Sequence, residues 1–450
     1  MNRGITIISA IVATLGVSAG LLWFTGLPLN RVPPPTSGMV GALSDTTTDP
    51  ARREFFAKTG SRSVPFQILY PASTAGRAVP YVPNAEPVVA ALKRNQGRLG
   101  LALARIGTIM APWTSGGRPR TDGPFPVVIY LPGVTGYMQM SSFQTAALAA
   151  DGFIVITLNQ PGAVAAALLP DGRVIEGMSR EQAVQLIAPS YSYSLLPPIF
   201  AAKLAPEKSI IPYLAADVPQ VIDRLRAINT DPSHPLHGLL DLERIGVMGV
   251  SLGAIVAAQA CQSYNQVRAC LMLDAPAPTD VANRGLGKPA LWLSRTAAAQ
   301  RAERAATGGW PENEIAAQAD TIARAVANSS QARVVRLRGL FHIDFTDLPT
   351  FQPLLGWLHM TGPTGTPEAH RAVASLTIDF FRQLKRSAQP RARQRAIPLR
   401  SSIIVRLGAM PILTFFRDRQ QNYDQGYTPH DHPIDPRVKP GTLDREKLPA

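Results

Sequence analysis

Glycine, serine and glycine at alternate positions in Gly249-Val250-Ser251-Leu252-Gly253 stand directly after the apolar run Ile245 to Met248 and directly before an alanine-rich stretch of helical length. At a sharp strand-to-helix turn the serine backbone is strained, and the residues two before and two after it must be small because side chains there would collide. The pattern marks Ser251 as a candidate nucleophile. The competing reading is a plain strand followed by an N-capped helix, and the presence of both elements around the pattern favours the nucleophile. A serine hydroxyl attacks only when a base takes its proton and a carboxylate orients that base.

On such an elbow the acid and then the histidine follow the serine in the chain. The histidines after Ser251 are His342, His359, His370, His430 and His432. His342, in Gly339-Leu340-Phe341-His342, comes just after the run Val334 to Leu337, where a loop can return an imidazole over a sheet edge. Asp274 ends the run Ala269 to Leu273, and a carboxylate at the carboxyl end of the next strand can lie beside the nucleophile's loop. Asp280 and Asp320 are rivals for that role, while Asp344 and Asp347 come after His342 and break the order. An oxyanion needs two backbone donors. One is the amide of Leu252, and the other is the amide of Val134 in Leu131-Pro132-Gly133-Val134-Thr135-Gly136, which also reads as a simple Pro-Gly turn.

The elements that must position these groups are legible from short β-branched runs bounded by Gly, Pro or Asp. Val64 to Tyr70, Val127 to Leu131, Ile154 to Leu158, Ile245 to Val250, Ala269 to Leu273, Ala290 to Ser294 and Val334 to Leu337 read as strands. Phe143 to Ala150, Ala215 to Ile228, Ala254 to Gln262 and Ile315 to Asn328 between them read as helices. Near-continuous apolar strands alternating with helices predict an α/β fold, a mostly parallel sheet covered on both faces. Gln160 to Pro212 interrupts the rhythm and reads as an inserted cap-like segment with some helix of its own, its Ala165 to Leu169 run apolar enough to wall a substrate pocket. Pro367 to Arg386 reads as a closing helix with Ala372, Leu376, Phe380 and Leu384 on one face.

The 450 residues thus divide into an apolar N-terminus over 1–30, a Pro/Ser/Thr-rich linker over 31–60, a body over 61–388 and a basic, Pro-rich tail over 389–450. Apolar residues at 46% and charged residues at 17% exclude a largely disordered chain. From Arg386 onward there are twelve Lys+Arg against six Asp+Glu, so this end of the chain, the tail with the last residue of the closing helix, carries six of the net charge of +14. The rest is diffuse and no nucleic-acid-binding pattern accompanies it, which argues against nucleic acid; for the tail two readings stay open, an anionic membrane surface as partner or packing of its apolar residues on the body with the arginines outward. Cys261 and Cys270 suit neither a CxxC pair nor a zinc site and read as buried small hydrophobes rather than a bridge. The sequence offers no metal site and no cofactor motif. No charged side chain occurs from Gly4 to Asn30, and Arg3 precedes that run. This run reads as a signal peptide or an uncleaved anchor, either of which would export the body, with an ordinary buried helix as the alternative.

Taken together the fragments resemble the plasma and intracellular type II platelet-activating factor acetylhydrolases, a lipase-like branch of the α/β-hydrolases, from about Phe66 to Leu384. The likeness rests on Leu69-Tyr70-Pro71, Tyr81-Val82-Pro83-Asn84, Phe125-Pro126-Val127-Val128, Asp151-Gly152-Phe153-Ile154-Val155, Gly249 to Gly253, Cys270 to Asp274 and His342 with Phe345-Thr346-Asp347. Family positions that hold histidine before the oxyanion glycine and before the serine are Pro132 and Val250 here, and Ala254 replaces a glycine. The resemblance implies a serine carboxylic ester hydrolase working without a metal through Ser251, His342 and Asp274, on short-acyl esters of lipid-like or hydrophobic alcohols. A general carboxylesterase or polyester hydrolase shares every one of these residues. A hydrolase-like scaffold that binds a partner without turnover is the alternative from another class.

Overall fold

Strands that are apolar on both faces need cover on both faces, and the computed structural model, which describes residues 32–96, 103, 106–191, 209–309, 311–386 and 402–405, supplies it. The strands are β1 (Met39–Arg53), β2 (Ser61–Ala72), β3 (Arg77–Pro80), β4 (Met110–Ser115), β5 (Phe125–Leu131), β6 (Ile154–Leu158), β7 (Ala166–Leu168), β8 (Val174–Glu176), β9 (Leu240–Val250), β10 (Val267–Leu273), β11 (Ala290–Arg295), β12 (Ala332–Leu337) and β13 (Ser402–Val405). One sheet runs in the order β13-β12-β11-β10-β9-β5-β6-β2-β1-β4-β3, and β7 and β8 form a separate hairpin. From β6 to β13 every neighbouring pair is parallel, while β2 is antiparallel to both β6 and β1. All of the parallel strands therefore present their carboxyl ends at one edge.

Side-chain alternation splits the core into two layers. Val127, Ile129 and Leu131 of β5 face one cluster with helices Ile210–Ala215, Asp217–Thr230 and Leu252–Ser263; Val128 and Tyr130 face the other with helices Glu86–Gln96, Ser142–Ala150 and Thr366–Arg386. The closing helix buries Ala369, Val373, Thr377, Phe380, Phe381 and Leu384. Its core face is thus turned slightly from the expected one, with Ala372 and Leu376 at its flank. A polar residue causes the difference: Thr377 faces inward because its hydroxyl bonds Gln144 Oε1 at 3.3 Å.

Three expectations are corrected. The stretch read as a linker over 31–60 contains β1, which pairs with β2 from Met39↔Ala72 to Asp49↔Arg62. Its Thr46-Thr47-Thr48 run is polar but β-branched, and a ladder to a buried neighbour holds it where its own hydrophobicity would not. The tail over 389–450 contains β13, parallel to β12. Cys261 and Cys270 are joined by a disulfide, their Cα atoms 6.2 Å apart, because the last turn of helix Leu252–Ser263 lies beside the middle of β10. The insertion does carry its own elements, β7, β8 and helix Arg180–Ile187. The chain separates into one unit ending at Leu407 and another from Gly408 to Ala450, the latter outside the described residues. The N-terminal apolar segment also lies outside them, and among the described residues no helix is long and apolar enough to cross a membrane.

The start of the insertion is tied to the sheet by charge. Arg62 on β2 has no solvent exposure and reaches Glu54 at 3.0 Å, Asp217 at 2.6 Å and the carbonyl of Pro161 at 3.0 Å. Gln160 Nε2 completes the cluster, donating to Asp217 at 2.8 Å. Removing one member of a buried, fully partnered group strands the others, whereas an exposed pair contributes little. Asp217→Ala is expected to destabilise the fold by about 3–5 kcal/mol in urea unfolding. Asp223→Ala, which breaks the exposed pair with Arg226, should cost less than about 1 kcal/mol. Equal effects of the two would show that the buried cluster does not anchor the insertion.

Candidate active site

Ser251 directly follows β9 with φ 55° and ψ −123°, a positive-φ conformation that a non-glycine residue adopts only when its surroundings enforce it. The flanking glycines show what enforces it. A Cβ on Gly249 would lie 2.2 Å from the Gly253 carbonyl oxygen, and one on Gly253 would lie 2.0 Å from that of Leu131. The elbow therefore closes backbone on backbone, against the end of β5 as well as against itself. Ser251 is half-buried, and its amide donates to the Leu273 carbonyl at 3.0 Å, one residue before Asp274 on the next strand.

Asp274 follows β10 and is buried. Its Oδ2 lies 2.6 Å from His342 Nδ1 and 2.5 Å from Arg295 Nε, and its Oδ1 accepts from the Arg295 amide at 3.2 Å and from Gln318 Nε2 at 3.4 Å. Burial alone would raise its pKa; the charge of Arg295 and the hydrogen bond with His342 outweigh burial and hold the carboxyl well below the usual carboxylate range. Arg295, the last residue of β11, is itself buried and pairs with Glu303, whose carboxylate also accepts from the His342 amide at 3.1 Å. The carboxyl ends of β9, β10 and β11 and the loop after β12 thus supply Ser251, Asp274, Arg295 and His342 in that order across the sheet.

The loop that carries His342 is fastened twice. Asp344 accepts from the amides of Phe341 at 2.7 Å and Gly362 at 2.8 Å; burial pushes its carboxyl up to about 6, against those two bonds. Asp347 accepts from the amides of Ser142 at 2.6 Å and Phe143 at 3.1 Å and from the Tyr81 hydroxyl at 2.5 Å. It thereby caps helix Ser142–Ala150 from far along the chain, because the local Ser141 hydroxyl donates instead to the Phe345 carbonyl at 2.9 Å. The Asp347 amide donates to the Met140 carbonyl at 2.7 Å. His370 stacks on Phe143 with 3.9 Å between ring centres, and burial pushes it down to about 4. The histidine loop and the loop after β5 are therefore one hydrogen-bonded unit.

That second loop lies against the elbow. A Cβ on Gly133 would sit 3.3 Å from the Ser251 Cβ and 3.5 Å from the Val250 carbonyl oxygen. Beyond Val134 the amides are engaged, Thr135 with Ala163 at 2.7 Å and Gly136 with Gly133 at 3.0 Å. Leu252 is the first residue of its helix, where N–H groups lack an intrahelical acceptor. The rival acids lie elsewhere: Asp280 faces Arg284 at 3.7 Å and Asp320 faces Arg324 at 2.9 Å. His359 and His370 make no contact with Asp274 among the described residues, and His430 and His432 lie outside them. Arg295, Glu303 and Gln318 escaped the sequence reading, which weighs Asp344 and Asp347 only as acids of the wrong chain order and not as fasteners of the histidine loop. A signal for Arg295 was present, a charge closing the apolar run Ala290 to Ser294 at the same edge as Asp274. No group of acidic, histidine or cysteine residues suited to a metal ion occurs among the described residues.

No protein-family model matches the chain, and no curated protein sequence matches it. Solved structures do. A ferulic acid esterase from Streptomyces cinnamoneus is similar with a TM-score of 0.59 at 21% identity, over 81% of this chain and 97% of that one. Two structures of AtxE2 isopeptidase are more distant, with TM-scores of 0.38 and 0.37 at 13% and 12% identity, over 78% of this chain and 41% of that one. The fold is that of the α/β-hydrolases.

The raised pKa of Asp344 sets a pH dependence. The folded state holds its proton more tightly than the unfolded chain, so this group stabilises the fold fully below about pH 4, and the contribution is lost as pH rises through about 6. Asp344→Asn keeps an oxygen for both amides and carries no charge to bury. Its stability relative to the parent should rise between pH 4.5 and 7.5 by an amount on the order of 2–3 kcal/mol in urea unfolding. A flat difference over that interval would mean that Asp344 titrates normally.

Proposed function

We propose that the protein is a serine carboxylic ester hydrolase. The single observation that carries this reading is the hydrogen bond of His342 to the buried, ionised Asp274 at the sheet edge where Ser251 stands in a strained elbow. Ser251 Oγ attacks the ester carbonyl while His342 Nε2 takes its proton. Asp274 receives the hydrogen bond from Nδ1, which fixes the tautomer with Nε2 open and stabilises the imidazolium that forms. The tetrahedral oxyanion accepts from the amides of Val134 and Leu252. Its collapse breaks the bond to the alcohol, which leaves with the proton from His342, and water attacking the acyl-enzyme through the same base releases the acid and restores Ser251.

The substrates we infer are short-acyl esters of hydrophobic alcohols, among them the acetylated phospholipids implied by the family resemblance. An exported enzyme associated with a membrane is supported by the uncharged run behind Arg3 and by the basic tail. A non-catalytic binding role is disfavoured by the strain at Ser251, since a scaffold has no use for a serine held at positive φ.

Turnover of p-nitrophenyl acetate, methyl ferulate and an sn-2 acetyl phospholipid by purified protein tests the reading. Ser251→Ala and His342→Ala should each lose about a thousandfold or more in kcat with unchanged melting. Asp274→Asn should fall by a comparable factor, because an amide neither holds the tautomer nor offsets the imidazolium. Asp280→Asn should stay within about threefold of the parent, having no contact with His342. Full activity in a well-folded Ser251→Ala protein would remove the mechanism.

A further inference from the structure

Glu303 is a carboxylate only 7% exposed on helix Ala297–Thr307, and it reaches the edge where Asp274 and His342 meet. It pairs with Arg295 Nη1 and accepts from the His342 amide at 3.1 Å. The helix that carries it buries Ala299, Gln300 and Glu303. One small apolar residue gains little from docking, so a buried carboxylate on that face needs a reason beyond packing.

The reason lies in what Arg295 would otherwise do. Asp274 Oδ2 is shared by two donors, His342 Nδ1 at 2.6 Å and Arg295 Nε at 2.5 Å. The two compete for one oxygen. Guanidinium and carboxylate prefer a two-point pairing, and a guanidinium held by nothing else would turn to take both oxygens of Asp274. Arg336, half-buried on β12 with its Nη1 3.4 Å from Ser294 Oγ, adds a second positive charge that interacts with Asp274. Glu303 opposes this by holding the Arg295 guanidinium at Nη1, so that Asp274 meets it through Nε. Oδ1 then accepts from the Arg295 amide and Gln318, and Oδ2 stays within reach of His342.

The same carboxylate acts on the base directly. His342 opens a short helical turn, His342–Phe345, where an amide lacks an acceptor within its own turn, and Glu303 supplies one from another element. We infer that Glu303 is a positioning residue of the hydrolase: it divides Arg295 between two acids and pins the backbone of His342, and so keeps the bond between Asp274 and His342 in place against the competing arginine. The inference rests on the ester-hydrolase reading above and deepens it. Glu303 acts through Asp274 and His342, not on the ester itself.

Two variants separate its parts. Glu303→Gln keeps an oxygen for the His342 amide and removes the charge that holds Arg295, while Glu303→Ala removes both. With p-nitrophenyl acetate kcat should fall about tenfold in the first and about a hundredfold in the second, with KM within about twofold of the parent. Glu312→Gln breaks the exposed pair with Arg301 of the same helix and should leave both constants unchanged. A residue that only anchored its helix would not change which ring nitrogen of His342 carries the proton, so the tautomer is read as well. In Ser251→Ala protein with isotope-labelled histidine at pH 8.5, the His342 ring, assigned by its absence from His342→Ala, should carry its proton on Nδ1. Adding Glu303→Gln or Glu303→Ala should raise the Nε2–H form, in the same order as the loss of kcat. Full activity in both variants overturns the inference, and so does lost activity with an unchanged tautomer. If the alanine variant does not fold, the isosteric glutamine variant decides alone. If the parent shows no Ser251-dependent turnover the hydrolase reading falls, while the tautomer still decides whether Glu303 holds Asp274 and His342 together.

Discussion

A carboxylate removed from water must be met on both oxygens, and the arrangement around Asp274 follows from that demand. One oxygen takes His342 and the Arg295 guanidinium, the other the Arg295 amide and Gln318. Pairing with a buried arginine alone would cancel the charge that an imidazolium needs. Glu303 supplies a second carboxylate on the far side of Arg295, so that the arginine's charge is shared between two acids and not spent on Asp274 alone. Because Glu303 also accepts from the His342 amide, the same carboxylate fixes the backbone of His342.

The second constraint is steric. Gly249, Gly253 and Gly133 bring three backbone segments into contact around Ser251, and no side chain fits between them. That contact sets the elbow against the loop after β5, and Asp347 and Ser141 set the loop after β5 against the loop of His342. Ser251, His342 and the segments carrying Val134 and Leu252 are thereby referred to one another through short contacts, not through the length of the sheet.

What was legible in the sequence follows the same physics. The seven apolar runs all became strands of the sheet, since burial on both faces leaves a signal in every residue of a strand. The turn at Ser251 and the meeting of Asp274 with His342 were readable because topology delivers strand ends to one edge. β1 was not, because its threonines and aspartates are held by partner strand and backbone, and polar composition reads as linker. Asp347 was set aside on chain order, an argument about the acid of a triad that says nothing about a helix cap more than two hundred residues upstream. The disulfide was missed because two cysteines nine residues apart meet only when a helix turns directly into the next strand. Thr377 displaced the expected face of the closing helix because periodicity counts apolar residues and not the polar one that finds a buried partner.

The central claim is that Ser251 is an activated nucleophile, and covalent labelling tests it most directly. A fluorophosphonate reacts with a serine only when a base has sharpened its hydroxyl, and it does so whatever ester the enzyme prefers. On this account one equivalent of probe attaches to the peptide containing Ser251, read by mass spectrometry, and the rate of labelling drops by about a hundredfold or more in His342→Ala. Stoichiometric labelling at another residue, or labelling of Ser251 at the same rate without His342, would contradict it.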